Sequence, residues 1–443
     1  MTRFIMRPAA LTAAALLAAA GPGSYTSSAQ APAGNVVALT NVRVIDGTGR
    51  APIEKAALVI SNGRVSSLGS AASATIPAGA TRIDLNGKTI MPGVVNAHGH
   101  AQVERGATMP VRDDLIRKLR VYASYGVTTV VSLGSTEADE IEGLRLQSEQ
   151  EQSGLDRARL YTAGLNAVGK TPEEARKSVD RLAGLKVHMI KFHINGTPND
   201  MNTETWSAII DESRAKGLKT AVHIFYLKDA QNAVDRGVDM LAHSVRDQDV
   251  SSALIAAMKQ KNVGYIPTLT REVSVFAYEA TPAFFKDPFF LRGMPLYRDT
   301  VEQLSDPTAQ AKVRADPQTQ AIKKALEQAN RNLKILSDAG IPIAVGTDSG
   351  AGGGRWQGYF EQVEMEMMVK AGMTPMQTIV AATSGAARLM GLRQLGTLEA
   401  GNWADLVVLS ANPLENILNT RRIDSVWIAG QRLAGVGPVT QTQ

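Results

Sequence analysis

The 443-residue chain has no cysteine, so neither a disulfide nor a thiolate metal site is available to it. Aromatic side chains make up only 5% of it, and histidine occurs at just six positions: His98, His100, His188, His193, His223 and His243. Blocks of like charge are missing as well. The 47 Lys and Arg against 42 Asp and Glu leave a formal charge of +5, with no basic run to mark a nucleic-acid surface. There is no internal repeat beyond an alternation of strand-like and helix-like stretches, and no low-complexity linker.

One apolar run opens the chain. MTRFIMRPAALTAAALLAAAGPGSYTSSA combines two arginines, an Ala/Leu-rich stretch and small residues near Ala29, the pattern of a secretory signal over residues 1–29. The run is too short for a comfortable membrane span, so the mature chain is expected to carry none; an uncleaved anchor is the alternative. Cleavage would remove Arg3 and Arg7, lower the charge to +3, and leave an exported protein, periplasmic or secreted. The absence of cysteine is compatible with that destination.

The remaining length suits one large domain and a smaller one. Eight short apolar runs follow one another: Val94–His100, Thr128–Gly134, Arg159–Leu165, Val187–Ile194, Lys219–Ile224, Asp239–Val245, Val263–Leu269 and Pro342–Ser349. Between most of them lie stretches of helical spacing, such as Asp113–Tyr125, Pro172–Leu182, Thr203–Lys216, Leu227–Arg236 and Ser251–Gln260. This alternation predicts parallel βαβ units and an α/β fold closed as a (β/α)8 TIM barrel over residues 91–392. Alternating strand patterns with Asp-Gly and Asn-Gly turns occupy 36–90, and more strands fall within 393–436. Neither piece can bury a core alone.

In such a barrel the strands' C-terminal ends build the site. His98 and His100 end the first strand, and residues two apart on a strand point to one face, so both imidazoles can converge on one cation. Lys191 ends the fourth strand, His223 the fifth, His243 the sixth and Asp348 the eighth. His188 has the opposite parity to Lys191 and is expected to be structural. His193 shares the parity of Lys191 and either reaches substrate or anchors a loop.

The runs MPGVVNAHGH, MIKFHING, TAVHI, LAHSV, AVGTDSG and GTLEAGNWADLVVLSANPLENI together resemble the amidohydrolase superfamily, in particular its metal-dependent dipeptidase (prolidase-like) or imidazolonepropionase-like branch. The likeness covers almost everything after the first 35 residues. It implies that the two flanking pieces join as a small composite β-sandwich. It also implies two divalent ions, zinc by ligand type, with manganese or cobalt as alternatives. Carried over by position, His98, His100 and Asp348 would hold one ion, and His223 and His243 the other. Lys191 would bridge them as N6-carboxylysine, because a plain ammonium would repel cations. A water between the ions would supply the nucleophile, and Asp348 would pass its proton to the leaving amine.

The activity implied is hydrolysis of an amide in a small molecule, a dipeptide or N-acyl amino acid with an apolar group. A lactonase or phosphotriesterase would use the same metals. A non-catalytic binding protein would ordinarily have lost ligands that are all present here. The family's mononuclear deaminases carry a Glu soon after the fifth-strand histidine, whereas Ile-Phe-Tyr-Leu follows His223. The sequence is compatible with a homo-oligomer.

Two loops bear on substrate. The long segment before the eighth strand holds Phe276, Tyr278, Phe284, Phe285, Phe289, Phe290 and Tyr297, which either pack a helical excursion or form an apolar lid. The glycine-rich loop GAGGGRWQG follows Asp348. Arg355 within it, or Arg271, is a candidate for holding a substrate carboxylate, and Tyr226 for hydrogen-bonding the tetrahedral intermediate.

Overall fold

The computed structural model describes residues 36–438 apart from 104, 105 and 107. The leader expected over residues 1–29 lies outside the described residues.

Five strands come first: β1 (Val37–Val44), β2 (Ile53–Ser61), β3 (Arg64–Ser70), β4 (Thr81–Asp84) and β5 (Thr89–Pro92). Seven parallel strands follow, all largely buried: β6 (Val94–Gly99), β7 (Val127–Ser132), β8 (Arg159–Thr162), β9 (Ile190–His193), β10 (Thr220–His223), β11 (Met240–Ala242) and β12 (Gly264–Ile266). The chain ends its regular structure with β13 (Leu406–Leu409), β14 (Ile423–Ile428) and β15 (Gln431–Arg432).

The seven parallel strands form two ladders, β6-β7-β8 and β9-β10-β11-β12. Backbone bonds from His188 N to Thr162 O and from Ala167 N to Lys191 O, each 2.8 Å, tie β8 to the β9 segment. The eighth run, 342–349, closes the circuit by parallel bridges, Ile343 to Tyr265 on one side and Ser349 to Gly99 on the other. It is thus the eighth stave of a (β/α)8 barrel, though not a regular strand. Its ladder is interrupted between the bridges: Val345 N donates to Ala381 O at 2.9 Å, and Asp348 has φ +59°, outside the extended region.

The helices start where the sequence supplies caps. The side chains of Thr171, Asn202 and Ser251 accept from backbone N–H groups three residues on, and Pro172 takes the first helical position. Leu227–Arg236 ends at Gly237, whose φ of +88° suits a left-handed cap.

The flanking pieces do join. β5 pairs antiparallel with β13, Leu406 opposite Pro92, so all eight outer strands share one hydrogen-bonded sheet. That sheet has a core of its own, including Leu39, Leu58, Ile60, Leu406 and Trp427, separate from the larger barrel core.

The aromatic segment resolves as packing. Tyr278, Phe285, Phe289, Phe290 and Tyr297 are buried and lie ring against ring with Tyr125, Trp356 and Tyr359. The hydroxyls of Tyr278 and Tyr297 donate to the carbonyls of Gly354 and Gln357, so the cluster clamps the loop that follows Asp348. Among the described residues no helix is long and apolar enough to cross a membrane.

Candidate active site

At the C-terminal ends of the barrel strands, five imidazoles follow one another. Ring centroids are 5.6 Å apart for His100 and His98, 4.7 Å for His98 and His243, 4.4 Å for His243 and His223, and 4.9 Å for His223 and His193. Register explains the last contact: β9 and β10 place His193 opposite His223, and Lys191 opposite Ala221. His98, His100, Lys191, His243 and Asp348 are buried, while His193 and His223 are partly open at the mouth.

Asp348 joins the first and eighth staves. Its Oδ1 lies 2.9 Å from His100 Nε2 and 3.2 Å from His98 Nε2, and these three residues converge closely enough to hold one cation. Two glycines permit the approach. A Cβ at Gly346 would stand 2.8 Å from the His98 Cβ, and one at Gly99 would stand 2.6 Å from Asn96 Nδ2. Asp348, His243 and Thr268 all sit at positive φ, +59°, +70° and +49°. Backbone strain of this kind gathers where a site over-determines it.

Electrostatics follow from burial. Burial, with the nearby Lys191 charge, pushes His98 down to about 3, and the same two causes push His193 to about 3. His223 and His243 are likewise held well below the ordinary imidazole value, chiefly through burial, so these rings are neutral, the form that can offer a lone pair. Burial opposes the charge of Asp348, yet its hydrogen bonds to His100 and His98 hold its carboxyl well below the usual range. Lys191 is 1% exposed, its Nζ has no hydrogen-bond partner among the described residues, and burial brings its pKa down to about 7.

The remaining candidates divide. His188 is structural as expected: its Nε2 meets Met390 O at 2.7 Å, against the Tyr161 ring. Arg355 reaches Asp348 Oδ2 with Nη1 and Ser274 Oγ with Nε, so its guanidinium is committed to the aspartate, not held free for a carboxylate. Arg271 pairs with Glu272 through two 3.0 Å bonds from Nη1, and the buried Arg246 pairs with the same carboxylate at 3.2 Å. Tyr226 is 40% exposed beside Phe225 at the mouth.

Sequence reasoning missed Arg246, Thr268, Asn96 and Glu361. Thr268 Oγ1 lies 2.7 Å from His243 Nδ1 and fixes that ring. Asn96 could have been found as the residue two before His98, on the same strand face, whereas YFEQVEMEMM holds three glutamates and nothing in it singles out Glu361.

A family model, "Amidohydrolase family", matches residues 89–433. The chain belongs to the amidohydrolase family. This amidohydrolase is 24% identical over 400 residues to the imidazolonepropionase of Rhodococcus jostii, covering 86% of this chain and 88% of that one. It is 24% identical over 356 residues to the 5-methylthioadenosine/S-adenosylhomocysteine deaminase of Bacillus cereus, covering 74% of each. Its fold matches a Xaa-Pro dipeptidase with bound methionine in the active site, with a TM-score of 0.68 at 19% identity over 90% of this chain and 99% of that one. The protein is therefore a hydrolase of the amidohydrolase type, from a family that acts on carbon–nitrogen bonds and generally uses a divalent metal centre.

Proposed function

We propose that this amidohydrolase cleaves an amide bond in a dipeptide or N-acyl amino acid bearing an apolar group. The observation that carries this reading is the clustering of His98, His100, His243, His223 and Asp348 beside a buried lysine amine that has no partner among the described residues. The donors fit a pair of divalent cations. Nitrogen and carboxylate oxygen suit zinc, the imidazoles of His98, His223 and His243 are neutral, and among the described residues His98 Nδ1 and His100 Nδ1 are also without partners. An isolated buried ammonium is costly, whereas a neutral Lys191 amine can add CO2, lose a proton and become an anionic bridging ligand. Cations held there would acidify a water and polarise the scissile carbonyl.

The chain's own groups supply the rest. Asp348 is placed to take a proton and hand it to the leaving amine, with Arg355 fixing its second oxygen. Arg271 and Arg246 share the single carboxylate of Glu272, which leaves a net positive group near His223 to face a substrate carboxylate. His193 ends β9 against His223, and Tyr226 follows in the loop after β10. The apolar specificity rests on the exposed Val168 and Tyr226 in the loops after β8 and β10, since the aromatic segment is packed inside.

Elemental analysis of purified protein beside Lys191→Ala tests the reading. About two divalent ions per chain are expected, falling in the variant. One ion in both would leave Lys191 structural, and none after reconstitution would sink the proposal. Export belongs to the same proposal: mass spectrometry of the mature protein should find an N-terminus near residue 30.

A further inference from the structure

Behind the cluster, on the helix Tyr359–Lys370, lies Glu361, which is 0% exposed. Its Oε1 accepts three bonds: from Asn96 Nδ2 at 2.5 Å, Thr347 Oγ1 at 2.8 Å and Ser349 Oγ at 2.6 Å. Its Oε2 has no partner among the described residues. Every donor adjoins a member of the cluster. Thr347 and Ser349 flank Asp348, while Asn96 stands two residues before His98 and accepts from its backbone N–H at 2.9 Å. Tyr122 extends the group, its hydroxyl 2.8 Å from Ser349 Oγ and donating to His100 O at 3.1 Å.

We infer that Glu361 is the positioning residue of the metal centre: one carboxylate oxygen clamps the first and eighth barrel staves so that Asp348 meets both His98 and His100. The inference rests on the metal reading above. A non-glycine residue held at positive φ is strained and persists only when its surroundings over-determine it. At Asp348 the surroundings include both neighbouring hydroxyls held on one oxygen, with backbone bonds from Thr347 N and Asp348 N to His98 O at 3.0 and 2.7 Å. Without that acceptor the Asp348 peptide can relax toward extended backbone, which would carry its carboxylate away from the imidazoles. Among the described residues Glu361 makes no hydrogen bond to the cluster's side chains, so its effect is exerted through Thr347, Ser349 and Asn96.

Because all three bonds end on one oxygen, Glu361→Gln can keep them through its carbonyl, whereas Glu361→Leu cannot. Zinc alone, titrated against a competing chelator, gives the affinity of each metal-free protein, and its thermal midpoint is read in parallel. Glu361→Gln should bind zinc within about twofold of wild type, because its carbonyl offers the same acceptor. Glu361→Leu should bind about 10- to 100-fold more weakly, the usual cost of losing a group that orients ligands. Ser349→Ala, which removes one arm and leaves the carboxylate in place, should weaken binding by about two- to tenfold. If Glu361→Leu lowers the midpoint while zinc affinity holds at the wild-type value, Glu361 is only a packing element and the inference is overturned. Should Glu361→Leu fail to fold, Ser349→Ala decides alone, with unchanged affinity counting against. A wild-type protein that takes no zinc would instead bring down the metal reading and this inference with it.

Discussion

Asp348 carries three burdens at once: strained backbone, two imidazole contacts and an arginine. The pairing with Arg355 changes what that arginine should do. Arg355→Ala is expected to lower kcat by about tenfold or more while changing KM for acyl amino acids by less than about twofold, the pattern of a group that matters to the reacting residues and not to ground-state binding. A rise in KM at constant kcat would return Arg355 to the role of carboxylate holder. Asp348→Asn should fold normally and lose about 100-fold or more in kcat, as its proposed role as general acid–base requires. At this scale the histidines were legible because strand parity alone puts His98 with His100, and Lys191 with His193. Arg355 was not, since its partner depends on how a glycine-rich loop folds back. Thr268 and Glu361 were hidden for a related reason: hydroxyls and carboxylates that orient ligands have no spacing rule.

Between the helices Leu269–Phe276 and Tyr359–Lys370 lies a second buried carboxylate. Glu364 accepts from Leu269 N at 2.7 Å, Thr270 N at 2.8 Å and Thr270 Oγ1 at 2.7 Å, so it serves as the N-terminal cap of a helix whose own cap residue makes none. Burial raises its pKa from 4.5 to about 7. Folded protein therefore holds this proton up to about pH 7, while the unfolded chain releases it near 4.5. The stability due to this group is full below 4.5 and declines as pH rises toward 7. Glu364→Gln, neutral throughout, should remove that decline: its thermal midpoint should gain on wild type as pH rises across this window. A constant difference between the two proteins would show that the carboxyl does not titrate there. Elements of this kind were largely legible, the helix Leu227–Arg236 to its ends, because periodicity and caps are local. The eighth stave was legible as an apolar run but not in its broken ladder, because the strain at Asp348 comes from contacts made across the barrel.

On the scale of the whole molecule, the barrel and the outer sheet are fastened by a buried ion pair. Arg159 of β8, fully buried, donates from Nε to Asp405 Oδ2 at 2.6 Å and stacks 4.4 Å from the centroid of the Trp403 ring. Asp405 also accepts from Ala429 N at 2.7 Å. Arg159→Met should destabilise the protein by about 3–5 kcal/mol, because it strands a buried carboxylate. Arg159→Met with Asp405→Leu should recover much of that loss, as calorimetry would show, and no recovery would mean that the pair's geometry and not its charge holds the two parts together. Both flanking segments were readable as strands. Their union was supplied by resemblance, since nothing local in 89–92 says that its partner is 406–409.

That same union governs how the chain comes into being. As it leaves the ribosome, β5 emerges before the barrel and β13 after it, so an open sheet edge must wait for the entire barrel to be made. Pairing between segments so far apart is slow, and an unpaired edge invites other chains. The last strands thus act as a latch on biosynthesis: a copy that stops short of residue 406 has every residue of the histidine cluster and no way to close the sheet that begins it.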